Sequence, residues 1–140
     1  MAEPDAPERL VVHHTAHHVV LLNRHPYTNG HLMIAPREHV AWPGQESAEA
    51  QAALWPMVLL CLEALRRAYS PDGFNLGMNL GSFAGAGLPG HAHFHVVPRW
   101  GGDTNFMGVV AQTRLVPQAL EETRQLLRPI FTELARCGAG

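Results

Sequence analysis

The stretch "PGHAHFHVVPRW", residues 89–100, sets His91, His93 and His95 two residues apart with apolar residues between them. On an extended strand side chains alternate, so the three imidazoles share one face while Ala92, Phe94 and Val96 turn toward a core. At a rise of about 3.3 Å per residue, neighbouring histidines stand roughly 6.5–7 Å apart and the outer two ~13 Å apart. That span is too long for all three to bind one ion through Zn–N bonds of about 2.0–2.1 Å. An adjacent pair could share a metal, but the whole row suits an extended substrate with several groups in line, and a polyphosphate is one. A neutral imidazole can attack phosphorus, splitting one hard displacement into two easier ones. A protonated second imidazole can steady non-bridging oxygens or protonate the leaving group. The small-residue segment "SFAGAGLPG" just before the row offers exposed backbone N–H groups to a phosphate. No carboxylate lies within the strand, which favours an anionic substrate over a metal–carboxylate site.

Several elements must position this row. "RLVVHH" and "HHVVLLN" read as β-strands around a turn at Thr15-Ala16, and the Asn29-Gly30 pair in "RHPYTNG" is a turn before the strand "HLMIAP". Three strands with short connections suggest an antiparallel meander. The period then changes: Leu54, Val58, Cys61, Leu65 and Ala68 fall at helical spacing over residues 48–69. Pro56 lies inside that pattern, which predicts a kink or a helix regular only beyond it. "SPDG" ends the helix, "FNLGMNLG" is a glycine-loosened strand, and the histidine strand follows the small-residue loop. After a short "TRLV" strand, a last helix starts at Pro117 with Leu120, Thr123, Leu127, Ile130 and Leu134 on its buried face. The class is α+β, a mostly antiparallel sheet of about five strands with one long middle helix and a C-terminal helix. Residues 1–8 read as a loose leader and 9–140 as a single domain.

Bulk composition narrows the function classes. A chain of 140 residues with 46% hydrophobic and 16% charged residues is one globular domain's worth. Net charge of −2 provides no basic field for nucleic acid. All ten basic side chains are arginine, so phosphate-loop, Schiff-base and general-base lysines are excluded. Cys61 and Cys137 form neither a disulfide framework nor a Cys-x-x-Cys clip, which suits a reducing compartment. The acidic, Pro-rich start lacks signal architecture, and the longest apolar run, around "VLLCL", is too short to span a bilayer. A cytoplasmic protein with no membrane and no nucleic-acid partner is expected.

The segment His91-Ala-His93-Phe-His95-Val-Val-Pro-Arg99 resembles the signature of the histidine triad family of nucleotide hydrolases and transferases, a His-x-His-x-His followed by two apolar positions. "LLNRHPYTNGHLMIAPREH" is similar to the family's nucleoside-binding segment, "GMNLG" to the strand before its phosphate loop, and "PRWGGDTNFM" to a bacterial branch with diadenosine tetraphosphate phosphorylases and related hydrolases. The resemblance covers about residues 19–107. It implies a nucleotidyl hydrolase or transferase acting at the α-phosphate of dinucleoside polyphosphates or nucleoside phosphoramidates, without a cofactor. Its partner is a purine nucleotide or dinucleoside polyphosphate. By the same resemblance His93 is the nucleophile, His95 serves the scissile phosphate and leaving group, His91 holds the hydrogen-bond network and His31 is the upstream supporting histidine. Asn23 matches the ribose contact and Asn79 a polar residue reaching the phosphates. The family resemblance also implies a homodimer joined at sheet edges and middle helices.

Two departures stand out. Relatives with a Gln, Ser or Thr before the first histidine bond phosphate there; this chain has Gly87-Leu88-Pro89-Gly90, so the backbone N–H groups of residues such as Gly87 take that role. Some bacterial relatives bind structural zinc through an N-terminal Cys-x-x-Cys and two histidines. His39 and His91 match the histidines, but the cysteines are absent, so no metal is expected. Outside the motif, His13, His14, His17 and His18 read as solvated or core-satisfied, and His25 and His39 as loop residues. Arg99 anchors phosphate or pairs with a carboxylate. Trp100 packs on nucleotide, at an interface or as strand-end burial. Trp42, Trp55 and Met57 fill core or dimer contacts, and Asp103, Thr104 and Asn105 form a turn. A phosphorylase using inorganic phosphate, a non-catalytic nucleotide-binding module and a His-x-His metalloprotein are the competing readings.

Overall fold

The three β-rich segments at the N-terminal end pair in sequence order, and the histidine strand then adds to the third. In the computed structural model, which describes residues 10–24, 28–81, 83, 91–101 and 118–138, β1 (Val11–His14), β2 (His18–Leu22) and β3 (Leu32–Pro36) form an antiparallel meander. The strand β5 (Phe94–Arg99) pairs with β3, and β4 (Gly73–Met78) closes the far edge, so the order is β1-β2-β3-β5-β4 with every pairing antiparallel. The leader, Gly87, His25, Pro117, "TRLV" and residues 103–105 lie outside the described residues.

Strict alternation gives the sheet two chemically different faces. Val20, Leu22, Leu32, Ile34 and Val96 are fully or almost fully buried on one of them. They form a single core with Met57, Val58, Cys61, Ala64 and Leu65 of α1 (Ala48–Tyr69) and Leu127 and Phe131 of α2 (Gln118–Gly138). Both helices therefore cover the same side, and the intervening positions, Met33, Ala35 and His95, belong to the other side. Phe131 was not among the positions expected from the sequence; it follows Leu127 by one turn and widens the buried stripe of α2.

The bounds of α1 coincide with the predicted 48–69. Ser47 caps it, its hydroxyl accepting from the Ala50 N–H at 3.1 Å, and Ser70 ends it in the left-handed region with its N–H donating to the Arg66 carbonyl at 3.0 Å. The helix is continuous through Pro56, so it is not confined to the residues beyond the proline. Pro56 and Ala52 are both exposed, so the carbonyl that loses its donor can be hydrated. Counted over its full length rather than its strict apolar run, α1 is also long and apolar enough to cross a bilayer. Here its apolar face packs on the sheet and α2.

The N-terminal histidines divide. His13 stacks on Phe131 with ring centroids 5.2 Å apart, and His14 Nδ1 accepts from Arg37 at 3.2 Å. His18 corrects the expectation for this group. It shares the core-facing side of β2 with Val20 and Leu22, is 1% exposed, and lies 3.5 Å from the buried Glu46 carboxylate with neither ring nitrogen hydrogen-bonded. Trp42 and Trp55 are exposed rather than core residues, whereas Met57 is buried as expected.

The Asn29-Gly30 turn is where the meander meets the helix layer. Gly30 has φ +82°, and a Cβ there would stand 3.0 Å from Leu65 and Tyr69 of α1. Both the left-handed backbone and the close approach call for glycine. Gly30→Ala should therefore lower unfolding stability by on the order of 1–3 kcal/mol. An unchanged urea midpoint would show that the turn does not need glycine.

Candidate active site

The histidine row begins outside the ladder. The last β3–β5 pair is Ile34 with Phe94, so His91 and His93 precede β5 rather than lying on it as the sequence suggested. What holds them is the chain that follows β3. The Ala92 N–H donates to the Val40 carbonyl at 2.7 Å, and the His91 ring N–H at Nε2 donates to the Pro36 carbonyl at 3.0 Å. Those carbonyls carry no signal in sequence, because any residue supplies one. The segment stays extended, so the rings still line up: centroids are 6.2 Å apart for His91–His93 and 5.9 Å for His93–His95. Ala92 is buried on the opposite side, as alternation requires.

At the other end His95 meets His31. His31 stands one residue before β3, is 1% exposed, and its Nε2 lies 3.0 Å from His95 Nδ1. Asn23, just past β2, brings its amide nitrogen to 3.4 Å from the same His31 Nε2, while its backbone N–H donates to the His31 carbonyl at 3.0 Å. His31 Nε2 is thereby shared between the Asn23 amide and His95 Nδ1, which commits that nitrogen of His95 to His31. The second nitrogen of His95 then remains as the atom that takes up and releases a proton.

Burial, followed by the neighbouring His95, pushes His31 down to about 4, so it is neutral at pH 7. His95 is lowered by burial and by His93. His93 is lowered by burial most of all and by His91, while hydrogen bonding to the Ala92 and His91 backbone opposes the shift. A ring N–H given to a backbone carbonyl leaves the other nitrogen with its lone pair, the form a nucleophile needs.

The remaining candidates spread along the same sheet. Asn79 is exposed just beyond β4. Arg99 follows His95 by four residues on the same face and donates to the Asn75 side-chain oxygen on β4. Trp100 is half-buried and meets Tyr69 of α1 edge to face at 6.3 Å. His39, read as a loop residue, brings its ring to 5.1 Å from His91.

That pair does not amount to the zinc site the resemblance suggests. Cys61 is sealed in the core and Cys137 is on α2, so no thiolates accompany the histidines, and His91 Nε2 is committed to Pro36. Among the described residues no group of three or more His, Cys, Asp or Glu side chains is arranged to hold a metal ion.

A five-stranded antiparallel sheet covered on one face by helices, with His-x-His-x-His leading into its fourth-placed strand, defines a histidine triad protein. The chain belongs to the HIT domain family, whose model matches residues 4–102. It is 40% identical over 116 residues to the AP-4-A phosphorylase of Mycobacterium tuberculosis, covering 83% of this chain and 58% of that protein. The chain thus spans a little over half of that relative's length. It is 31% identical over 85 residues to the adenosine 5′-monophosphoramidase of Schizosaccharomyces pombe, covering 61% of this chain and 60% of that one. In three dimensions it is similar to a zinc-bound histidine triad family protein from Mycobacterium smegmatis, with TM-score 0.72 and 26% identity over 91% of this chain and 86% of the other.

The buried neutral imidazole has a consequence for stability. The folded value of His31, about 4, lies below the ordinary 6.5, so on acidification the unfolded chain binds its proton first. The contribution is complete above about pH 6.5 and is lost as pH falls from there toward 4, on the order of 3 kcal/mol in all. His31→Gln should make the acid limb of unfolding stability shallower in pH-dependent denaturation. An unaltered slope would place the acid sensitivity elsewhere.

Proposed function

We propose that this chain is a nucleotidyl hydrolase or transferase acting at the α-phosphate of dinucleoside polyphosphates, with nucleoside phosphoramidates as compact alternatives. The observation that carries the reading is His93, neutral by burial and set between His91 and His95 on the helix-free face of the sheet. In the first half-reaction the free nitrogen of His93 attacks phosphorus. A P–N bond forms, the P–O bond to the departing nucleoside polyphosphate breaks, and the leaving oxygen takes the proton that a protonated His95 carries on its outer nitrogen, leaving that ring neutral. In the second, an oxygen of water or inorganic phosphate attacks the nucleotidyl-His93, the P–N bond breaks and His95 recovers a proton. His31, kept neutral, accepts from His95 Nδ1–H and so holds the outer nitrogen toward the phosphate. Asn23 supports His31 and is adjacent to where a ribose would sit; Asn79, Arg99, Trp100 and the backbone of Gly87 are assigned to the nucleotide.

The acceptor separates two forms of this activity. The likeness to a relative named AP-4-A phosphorylase supports inorganic phosphate as acceptor. Diadenosine tetraphosphate supplied with phosphate should then yield ADP and ATP, whereas water as acceptor yields AMP and ATP. His93→Ala should lower turnover by at least about a thousandfold while AMP still binds. Full activity in that variant would remove the mechanism. Binding of AMP by wild-type protein without turnover of any such substrate would mark a non-catalytic nucleotide-binding module.

A homodimer is part of the same proposal. Trp55 and Leu59, one turn apart on α1, are 56% and 50% exposed, and Leu76 on the edge strand β4 is 40% exposed. Together with the outer edge of β4, which pairs with no further strand among the described residues, they are surfaces that association would cover. Sedimentation should give a dimer for wild type and a monomer for Leu59→Asp; a monomeric wild type would rule the association out.

A further inference from the structure

Strand β4 turns a nearly bare side toward the histidine row. Its register pairs Gly77 with His95, Asn75 with Val97 and Gly73 with Arg99, and directly paired residues of antiparallel strands share a face. The open face of β4 therefore carries two glycines and one amide, and the amide oxygen is engaged by Arg99. A Cβ built on Gly77 or Gly73 would meet nothing within 4 Å, and neither residue has a positive φ. Among the described residues, packing and backbone thus give no reason for glycine there, although glycine weakens a strand. Strand glycines commonly mark the close approach of a ligand or another backbone. The opposite flank of His95 is furnished: Met33 pairs with it from β3, and Asn23 and His31 close that side.

We infer that Gly77 is the specificity-determining position for the departing half of the substrate: the nucleoside polyphosphate expelled from the α-phosphate lies over this bare stretch of β4. The inference rests on the nucleotidyl-transfer reading above and adds a direction to it. Attacking nitrogen, phosphorus and departing oxygen lie close to one line in a phosphoryl-type displacement. With the retained nucleoside on the Asn23–His31 flank, the flank of β5 over β4 is the side left for the departing chain. When the P–O bond breaks and His95 protonates the leaving oxygen, the rest of that group, further phosphates and a second nucleoside, needs a floor without side chains. A valine at Gly77 would put its methyls beside His95, where cross-strand Cβ atoms are about 4.5–5.5 Å apart, and would fill that floor.

The test uses the full chain and two substrates that share the adenylyl group but differ in what leaves: diadenosine tetraphosphate, which expels ATP, and adenosine 5′-phosphoramidate, which expels ammonia. In Gly77→Val the ratio of kcat/KM for the tetraphosphate to that for the phosphoramidate should fall at least about tenfold. The melting temperature should hold or rise, since valine suits a strand. Gly77→Ala should move the ratio in the same direction by less, and it carries the test alone if the valine variant does not fold. An unchanged ratio in folded variants overturns the role of Gly77 and leaves the transfer reading standing. Wild-type protein inert toward both substrates overturns the transfer reading and this inference with it.

Discussion

The open face of the sheet depends on the pairing of β3 with β5, in which Leu32 faces Val96 and Met33 faces His95. A slip of one residue would exchange the two sides of β5. Val96, now fully buried, would face the cleft, and His95 would enter the apolar layer under α1. With the register as it is, His31, one residue ahead of β3, falls diagonally across from His95 and their nitrogens meet at 3.0 Å. The same pairing brings the end of β3 alongside the approach to β5, where the Pro36 and Val40 carbonyls receive His91 and Ala92. Both ends of the imidazole row are thus set by one strand.

Energetically the site is built on desolvation. Removing His31 from water disfavours its charged form, and burial acts in the same direction at His95 and His93. Adjacent imidazoles reinforce it, since a proton on one raises the cost of a proton on the next. The row of imidazoles from His31 through His95 to His93, each held toward its neutral form, keeps lone pairs available at neutral pH. It can attack an electron-poor centre and share few protons, which is the balance a nucleophile beside one titrating acid requires.

The helix layer contributes rigidity from behind. Leu65 and Tyr69 leave room for no side chain at Gly30, and Thr28 in the same turn donates to the Pro98 carbonyl at 2.9 Å, buried between the two segments. The turn that precedes His31 is thereby fastened to the strand that carries His95. At the opposite end His39 and His91 are in ring contact without the thiolates that a tetrahedral zinc site needs, so hydrogen bonds to backbone hold that corner. His18 beside Glu46 shows that the same end of β2 tolerates buried polar groups whose hydrogen bonds are not made among the described residues.

Residue pattern alone determined a good deal. The period of 3.6 along α1, the Asn-Gly turn and the alternation of the histidine strand are local properties, and they placed α1 to the residue, the meander, and three imidazoles on one side with nearly the spacing observed. The motif was specific enough to imply the family. Tertiary structure decided what depends on partners distant in sequence. It put His91 and His93 ahead of the ladder, with the His91 ring and the Ala92 N–H bound to carbonyls of Pro36 and Val40 that no side-chain pattern advertises. It carried the helix through Pro56 because that turn faces water, buried His18 on Glu46, exposed Trp42 and Trp55, and gave Arg99 an amide partner. It also set a bare Gly77 opposite His95, which only strand register can do. Local periodicity fixes which way a side chain points; what it meets there is a property of the pairing and packing of segments tens of residues apart.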